Sequence, residues 1–197
     1  TLCNARGVYS VPMAECALLG VLSLYKNAKE SYENQKNHIW QKNRNFRELS
    51  NGTICIVGCG SVGRECAKLF KAFNTYIVAV DVVKPTSELF DNYYTINNVA
   101  EAVQNADVVI LTLPLTTETK NMFNKELLSQ FKNDAILVNI ARGAVVNETD
   151  LINLLKNGKL GGAVLDVFEI EPLGEESELW DFQNVVSDLF VCIGGFR

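Results

Sequence analysis

Histidine is almost absent from this 197-residue chain, which contains a single one, His38. Cysteine occurs six times, at positions 3, 16, 55, 59, 66 and 192, but no two cysteines form the C-x-x-C pair that is typical of zinc sites. With one histidine to complete a ligand set, the sequence predicts no metal site. Several cysteines lie inside apolar segments, where cysteine behaves as a small hydrophobic residue, so we expect a reduced, cytoplasmic setting.

Long apolar runs and concentrated positive charge are also missing. The longest apolar stretch, Ala17 to Tyr25, is interrupted by Ser23 and is shorter than the roughly 20 residues that a membrane-spanning helix needs. The net charge is −5 with scattered lysines, which predicts neither a nucleic-acid partner nor a membrane partner. The hydrophobic fraction of 48% and charged fraction of 21% are typical of a globular protein. Because the chain begins at Thr1 rather than methionine, we expect a fragment or a trimmed chain.

Short apolar segments alternate with amphipathic ones along the sequence. Residues 10–36 predict a long first helix, because Ser10 suits an N-cap, Pro12 suits the first turn and apolar residues recur at helical spacing. Predicted strands then cover residues 53–57, 76–80, 107–113, 135–141 and 163–167, and predicted helices cover residues 61–73, 97–106, 124–132 and 148–158. Strands that are apolar throughout are buried on both faces. The alternation therefore predicts an α/β fold, a doubly wound parallel sheet of the Rossmann type.

A glycine-rich turn, "VGCGSVGRECA", joins the first predicted strand to the helix that follows it. Gly58, Gly60 and Gly63 form the G-x-G-x-x-G pattern. The first glycine permits a tight turn, the second lets the backbone approach a pyrophosphate, and the third lets the helix pack against the strand. Because the free N–H groups at the start of a helix attract anions, this turn predicts a dinucleotide site.

An acidic residue follows at the interval that such a site requires. Asp81 ends the second predicted strand, eighteen residues beyond Gly63, and a carboxylate at about 20 residues binds the adenosine ribose hydroxyls. A carboxylate there repels a 2′-phosphate, which favours NAD over NADP as the cofactor. Lys84 lies close enough in sequence to leave NADP as an alternative.

Beyond the glycine turn, the sequence resembles the family of D-isomer-specific 2-hydroxyacid dehydrogenases over nearly its whole length. The resemblance rests on five segments: "GVYSVPMAE", "VGCGSVGRECA", "LTLPLTTETKNMFN", "LVNIARGAVVNETDLINLLKNGKLGGAVLDVFEIEPL" and "LWDFQNVV". The fourth segment, residues 137–173, is the most specific of them. The family transfers hydride between a nicotinamide cofactor and a small D-2-hydroxy acid or 2-keto acid, and its members lead us to expect a homodimer that uses the first helix as a contact region.

The resemblance assigns further cofactor contacts to individual residues. It implies that Ser61 and Val62 cover the pyrophosphate. It also implies that Leu113 and Pro114 lie against a ribose, with Thr119 close by. The main chain of Ile140 and Ala141 is expected to approach the nicotinamide, and Asp166 is expected to hold the carboxamide.

For the chemistry, the resemblance assigns Arg142 to the substrate, because a guanidinium grips a carboxylate in fork geometry and polarises the neighbouring ketone. Glu171 corresponds to the partner of a protonated histidine that donates to the new alkoxide. At the expected position of that histidine the chain has Cys192, within a segment that departs from the family pattern. A thiol is a poorer proton donor near neutral pH than imidazole, and His38 matches no catalytic position.

The resemblance also implies an organisation and leaves alternatives open. We expect residues 1–50 to form a linking helix and loop, residues 51–197 to form the NAD-binding domain, and the family's substrate-binding domain to be absent. The first hypothesis is a 2-hydroxyacid dehydrogenase. The second is a truncated or degenerate dinucleotide-binding module that lacks the general-acid histidine. The third is an interaction protein that pairs through its first helix.

Overall fold

A parallel sheet of seven strands runs through the computed structural model, which describes residues 7–42 and 46–187. The strands are β1 (Thr53–Val57), β2 (Tyr76–Asp81), β3 (Asn92–Thr95), β4 (Val108–Leu111), β5 (Ile136–Asn139), β6 (Gly162–Leu165) and β7 (Val185–Ser187). The α-helices are α1 (Ser10–Tyr25), α2 (Ala28–Lys36), α3 (Ser61–Lys71), α4 (Val99–Val103), α5 (Lys125–Ser129) and α6 (Glu148–Lys156). Short 3₁₀ helices cover Ile96–Asn98, Gly143–Val145 and Glu178–Trp180. The strand order is β3-β2-β1-β4-β5-β6-β7, so the doubly wound parallel α/β fold predicted from the alternation is confirmed.

Both faces of the sheet are buried, and alternate side chains of each strand supply the two cores. In β1, Ile54 and Ile56 pack with α1 and α3, whereas Cys55 and Val57 face the core that includes α4, α5 and α6. The same alternation occurs in β4 and β5. Since apolar residues on both faces leave no room for a polar stripe, these strands read as continuous apolar runs in the sequence.

Helix α1 lies directly on the sheet beside α3. A Cβ atom on Gly20 would be 2.3 Å from Cγ1 of Val164 in β6, so only glycine lets the helix approach this closely. Ala14, Ala17 and Val21 complete the buried stripe of α1. The first helix is thereby part of the same core as the sheet, and its amino end reaches the carboxyl ends of the central strands.

The single helix predicted for residues 10–36 is wrong, because the chain forms two helices there. Asn27 adopts the left-handed conformation, with φ of 51°, and separates α1 from α2. The apolar stripe of α1 ends at Tyr25, and α2 has no buried residue, so tertiary packing fixes the first helix and not the second. Strand β3 was not predicted, because its sequence "NYYT" is polar at both ends and only half-buried in the middle.

Strand order reverses between β1 and β4, and a crevice opens there at the carboxyl ends of the strands. Strand β1 is followed by the glycine turn and α3, β4 is followed by residues 112–119, and β5 is followed by residues 140–142. No helix among the described residues is long and apolar enough to span a membrane.

Candidate nucleotide-binding cleft

The three glycines between β1 and α3 occupy three different environments. Gly58 has φ of +98°, and a Cβ atom there would be 2.7 Å from the nitrogen of Leu113. A Cβ atom on Gly63 would be 2.1 Å from the carbonyl oxygen of Gly58, so this glycine lets α3 pack against the turn. A Cβ atom on Gly60 would have no protein atom within 4 Å. The fold therefore requires glycine at the first and third positions, and the second faces open space.

Helix α3 begins at this open position without a side-chain cap. Gly60 is its N-cap residue, and no side chain accepts a hydrogen bond from the first turn. The first N–H groups of a helix have no partner within the helix and carry its positive dipole end. Ser61 and Val62, the first two residues of α3, line a cleft of about 560 Å³. This end of the helix is suited to an anionic group.

Asp81 lies beside the same turn, at the end of β2. Its Oδ2 accepts a hydrogen bond from the backbone N–H of Cys59 at 2.6 Å, and its Oδ1 accepts one from the N–H of Val82 at 2.7 Å. Both carboxylate oxygens are thus held by main-chain donors, which fixes the carboxylate next to the glycine turn. The Asp81 carboxylate therefore presents its negative charge at a defined place beside the glycine turn, and Asp81 is not among the residues that line the cleft.

The thiol of Cys59 points inward from the turn and is unreactive at neutral pH. Burial, and next the nearby Asp81 carboxylate, raise the pKa of Cys59 to about 12. Burial raises the pKa of Cys66 in α3 to about 12 as well, and it raises the pKa of Cys55 in β1. Because a thiolate is the reactive form, these three cysteines act as packing residues at neutral pH.

The second wall of the cleft comes from the segment after β4. Leu113 and Pro114 line the cleft. Thr112 joins this wall to the glycine turn, because its Oγ1 donates to the carbonyl oxygen of Gly58 at 2.5 Å. Thr119 lies behind the wall and closes a turn: its hydroxyl donates to the oxygen of Pro114 at 2.8 Å and accepts from the N–H of Thr116 at 2.7 Å.

The third wall follows β5 and carries the predicted substrate arginine. Ile140, Ala141 and Arg142 all line the cleft. Ile140 and Ala141 are buried, whereas Arg142 is exposed, and its Nη1 donates to the carbonyl oxygen of Ala141 at 2.6 Å. The guanidinium is therefore at the rim of the cleft and accessible to a ligand.

Asp166 and Glu171 lie on the neighbouring segment after β6, outside the lining of the cleft. The N–H of Asp166, which is half-buried, donates to the carbonyl oxygen of Asn139 at 3.1 Å. Glu171 is exposed, and its Oε1 accepts from the N–H of Phe168 at 3.1 Å. The segment also contacts the third wall, since a Cβ atom on Gly143 would be 1.8 Å from the Phe168 oxygen.

Two further residues singled out from the sequence are Cys192 and His38. Cys192 lies outside the described residues, so its role stays a prediction. His38 is exposed, has φ of 56° and lies beside Trp40 in the segment after α2. No cluster of three or more histidine, cysteine, aspartate or glutamate side chains suited to a metal ion occurs within residues 7–42 and 46–187.

Ser10 is a site residue that sequence reasoning treated only as a helix cap. It is 4% exposed, it lines the cleft together with Ser61 and Val62, and its Oγ has no hydrogen-bond partner among the described residues. A buried hydroxyl without a partner is costly, and a polar group bound in the cleft would satisfy this atom. No local pattern signals this, because the burial of Ser10 depends on the packing of α1 over the strand ends.

The family model described as "D-isomer specific 2-hydroxyacid dehydrogenase, NAD binding domain" matches residues 18–188. The chain belongs to this family. It contains the family's coenzyme-binding fold, and the resemblance stated from the motifs is confirmed.

Curated relatives of the chain include dehydrogenases and reductases. A D-lactate dehydrogenase of Streptococcus agalactiae is 39% identical over 138 residues, which cover 70% of this chain and 41% of that protein. A glyoxylate reductase of Pyrococcus furiosus is 44% identical over 142 residues, covering 71% and 41%. A hydroxypyruvate reductase of Thermotoga maritima is 32% identical over 187 residues, covering 93% and 60%. The aligned part of the chain thus spans about 41% to 60% of the length of these relatives.

Solved structures of the family have the same fold. A phosphoglycerate dehydrogenase from Lactobacillus plantarum superimposes with a TM-score of 0.86 at 27% identity, covering 93% of this chain and 60% of that one. A probable 2-hydroxyacid dehydrogenase from Rhizobium etli, solved with NADP, gives a TM-score of 0.84 at 26% identity, covering 91% and 58%.

Proposed function

We propose that the chain binds NAD(H) in this cleft and supplies the coenzyme-binding part of an enzyme that interconverts a D-2-hydroxy acid and a 2-keto acid. The observation that carries the proposal is the uncapped start of α3 at Gly60, where a Cβ atom would meet no protein atom. A diphosphate needs such a combination of close backbone approach and unpaired N–H groups. The unpartnered Oγ of Ser10, which lines the same cleft, supports the same conclusion.

For the choice between NAD and NADP we propose NAD. Asp81 supports this choice, because main-chain donors hold its carboxylate beside the glycine turn and its charge repels a 2′-phosphate. The structural relative from Rhizobium etli was solved with NADP, and titration with both nucleotides distinguishes the two cofactors.

The residues of the third wall suit the chemistry of a 2-keto acid. The bound cofactor would supply or accept a hydride at its nicotinamide ring. Ile140 and Ala141 would present their main chain to that end of the cofactor, and Asp166 would hold the carboxamide. Arg142 is exposed at the rim, where its guanidinium can bind a substrate carboxylate and polarise the neighbouring carbonyl oxygen. Glu171 would favour a protonated donor in the segment after β7.

We also propose a homodimer in the cytoplasm. Trp40 is 96% exposed, Ile39 and Phe46 beside it are more than half exposed, and so is Tyr32 on α2, which supports a contact surface around α2. Leu19 adds an exposed apolar side chain on α1. Sedimentation or light scattering of the purified chain measures the oligomeric state, and a monomer at all concentrations would refute this part of the proposal.

Titration with NADH and NADPH, followed by fluorescence, tests cofactor binding. We expect NADH to bind at least tenfold more tightly than NADPH, and Asp81→Ala to reduce that ratio. Pyruvate, glyoxylate and hydroxypyruvate are then added to the NADH complex, and the absorbance of NADH is followed over time. Arg142→Gln should reduce turnover while NADH binding persists.

The possible results separate the hypotheses. Binding of NADH without oxidation by any 2-keto acid would support the non-catalytic dinucleotide-binding module. Failure to bind either nucleotide would refute the proposed function.

A further inference from the structure

Three polar side chains are buried among the described residues: Ser10, Thr75 and Asn139. Thr75 has a structural task, because its Oγ1 donates to the carbonyl oxygen of Phe70 at 3.0 Å and closes the end of α3. Ser10 belongs to the cleft already described. Asn139, which is 1% exposed, is the last residue of β5 and stands three positions before Arg142. A buried amide is tolerated only where its hydrogen bonds are made, so its partners indicate its task.

Both ends of the Asn139 amide bind the main chain of the turn that carries Arg142. Its Nδ2 donates to the carbonyl oxygen of Arg142 at 3.1 Å. Its Oδ1 accepts from the N–H of Ala141, also at 3.1 Å. These two main-chain groups lie on either side of the peptide bond that joins Ala141 to Arg142. The side chain therefore fixes the backbone on both sides of that bond.

The main chain of Asn139 connects the same turn to the segment after β6. Its carbonyl oxygen accepts from the N–H of Asp166 at 3.1 Å. On the other side of Arg142, Gly143 packs so closely against the carbonyl oxygen of Phe168 that no Cβ atom would fit. One residue thus links the turn with the proposed substrate arginine to the segment that carries Asp166.

We propose that Asn139 is a positioning residue, whose side-chain amide sets the backbone from which the Arg142 guanidinium reaches a substrate carboxylate. The role in substrate binding rests on the proposed function, whereas the role in fixing the turn does not. Arg142 is exposed, and its Nη1 donates to the carbonyl oxygen of Ala141 at 2.6 Å, so the backbone of this turn also helps to decide where the guanidinium lies. Only an amide serves here, because a carboxylate lacks the donor and an aliphatic side chain lacks both groups.

Two variants and a matched control test the proposal. Asn139→Leu removes both hydrogen bonds, and Asn139→Asp keeps the acceptor and the shape but removes the donor. Asn147→Ala is the control. The Asn147 side chain also binds the main chain, since its Oδ1 accepts from the N–H of Asp150 at 3.0 Å, but it caps α6 and does not line the cleft. Each variant's unfolding midpoint is measured first.

Amide hydrogen exchange over residues 140–144 is the readout that does not depend on any ligand. We expect the amides there to exchange about tenfold faster in Asn139→Leu. If the free energy needed to open the turn falls by about 1.4 kcal/mol, the amides are exposed tenfold more often. Asn139→Asp should show a smaller increase, and Asn147→Ala should accelerate exchange only in the first turn of α6.

Ligand binding supplies the second readout. NADH affinity should stay within about threefold of wild type in both Asn139 variants, whereas the affinity of oxamate, a 2-keto acid analogue, for the NADH complex should fall by about tenfold. Wild-type exchange over residues 140–144 in Asn139→Leu would overturn the proposal, as would unchanged oxamate affinity. If Asn139→Leu does not fold, the same criteria apply to Asn139→Asp. If wild type binds no NADH, the proposed function fails while the exchange measurement still decides the role of Asn139.

Discussion

At the scale of single residues, the three glycines of the turn are needed for different reasons, although they belong to one motif. Gly58 and Gly63 are required by the protein itself, because a Cβ atom at either position would approach main-chain atoms closer than 3 Å. Gly60 has no such neighbour within 4 Å and has φ of −69°, which any residue can adopt. The fold therefore requires two of the three glycines, and the proposed approach of a ligand gives a reason for the third.

This difference predicts opposite phenotypes for two alanine substitutions. Gly63→Ala should lower the free energy of unfolding by about 3 kcal/mol, because its methyl group would overlap the Gly58 oxygen and push α3 away from the turn. Gly60→Ala should leave the free energy of unfolding nearly unchanged and weaken NADH binding by about tenfold, because the methyl group would stand where the diphosphate approaches.

Denaturant unfolding and NADH titration of both variants measure the two effects separately. The interpretation of Gly60 would be contradicted by a Gly60→Ala variant that binds NADH as tightly as wild type. Equal stability of Gly63→Ala and wild type would contradict the close packing at the third glycine.

At the scale of elements, the strands were predictable and the ends of the helices were less so. Continuous apolar runs identified β1, β2, β4, β5 and β6, because burial on both faces excludes polar residues from them. Strand β7 was not among the predicted strands either, and two of the features that escaped prediction have clear physical reasons. Strand β3 is a half-buried edge strand without an apolar run, and the end of α1 depends on the backbone of Asn27 rather than on any apolar pattern.

The break between α1 and α2 can be tested at Asn27. Asparagine tolerates the left-handed conformation, whereas a β-branched residue at φ of 51° is strained. Asn27→Val should therefore lower the free energy of unfolding by about 1–2 kcal/mol, and Asn27→Gly, which suits this conformation, should lower it by less. Asn37→Val is the control, because Asn37 ends α2 with φ of −93°. Thermal unfolding of the three variants measures these effects. Equal losses of unfolding free energy for Asn27→Val and Asn37→Val would contradict the proposed strain at residue 27.

At the scale of the whole molecule, the two ends of the sheet have separate tasks. The carboxyl ends form the cleft proposed to bind the nucleotide, while Arg47 links segments at the amino ends. Its guanidinium donates to the Asp134 carbonyl oxygen at 2.6 Å and to the Tyr25 hydroxyl at 3.1 Å, and lies 4.3 Å from the centre of the Tyr25 ring. Asp107, just before β4, is 4.0 Å from the same guanidinium. Together these contacts hold the end of α1 to the sheet.

Because of Tyr25, the free energy of unfolding should fall as the pH rises through the alkaline range. Burial raises the pKa of Tyr25 from 10.0 to about 12, although Arg47 acts in the opposite direction. Between these two values the unfolded chain loses the phenol proton first, so the contribution of Tyr25 is complete below pH ~10 and is lost as pH rises towards ~12. The loss amounts to about 2–3 kcal/mol.

Tyr25→Phe isolates this effect from other groups that titrate at alkaline pH. The variant starts with a lower free energy of unfolding, because the hydrogen bond from Arg47 is missing. Its free energy of unfolding should then fall less steeply than that of wild type as pH rises. Urea unfolding at several alkaline pH values measures both slopes, and parallel slopes would contradict the buried phenol.

The sequence by itself determined the parallel α/β fold, the position of the glycine turn and the family. Each depends on local patterns: apolar runs of strand length, glycines at fixed spacing and motifs that are contiguous in the chain. Only the tertiary structure decided that Ser10 is buried with an unpartnered hydroxyl, that main-chain donors hold Asp81, and that Asn139 grips the Arg142 turn. These facts depend on how separate strand ends and α1 come together in space, and that packing leaves no periodic trace in the sequence.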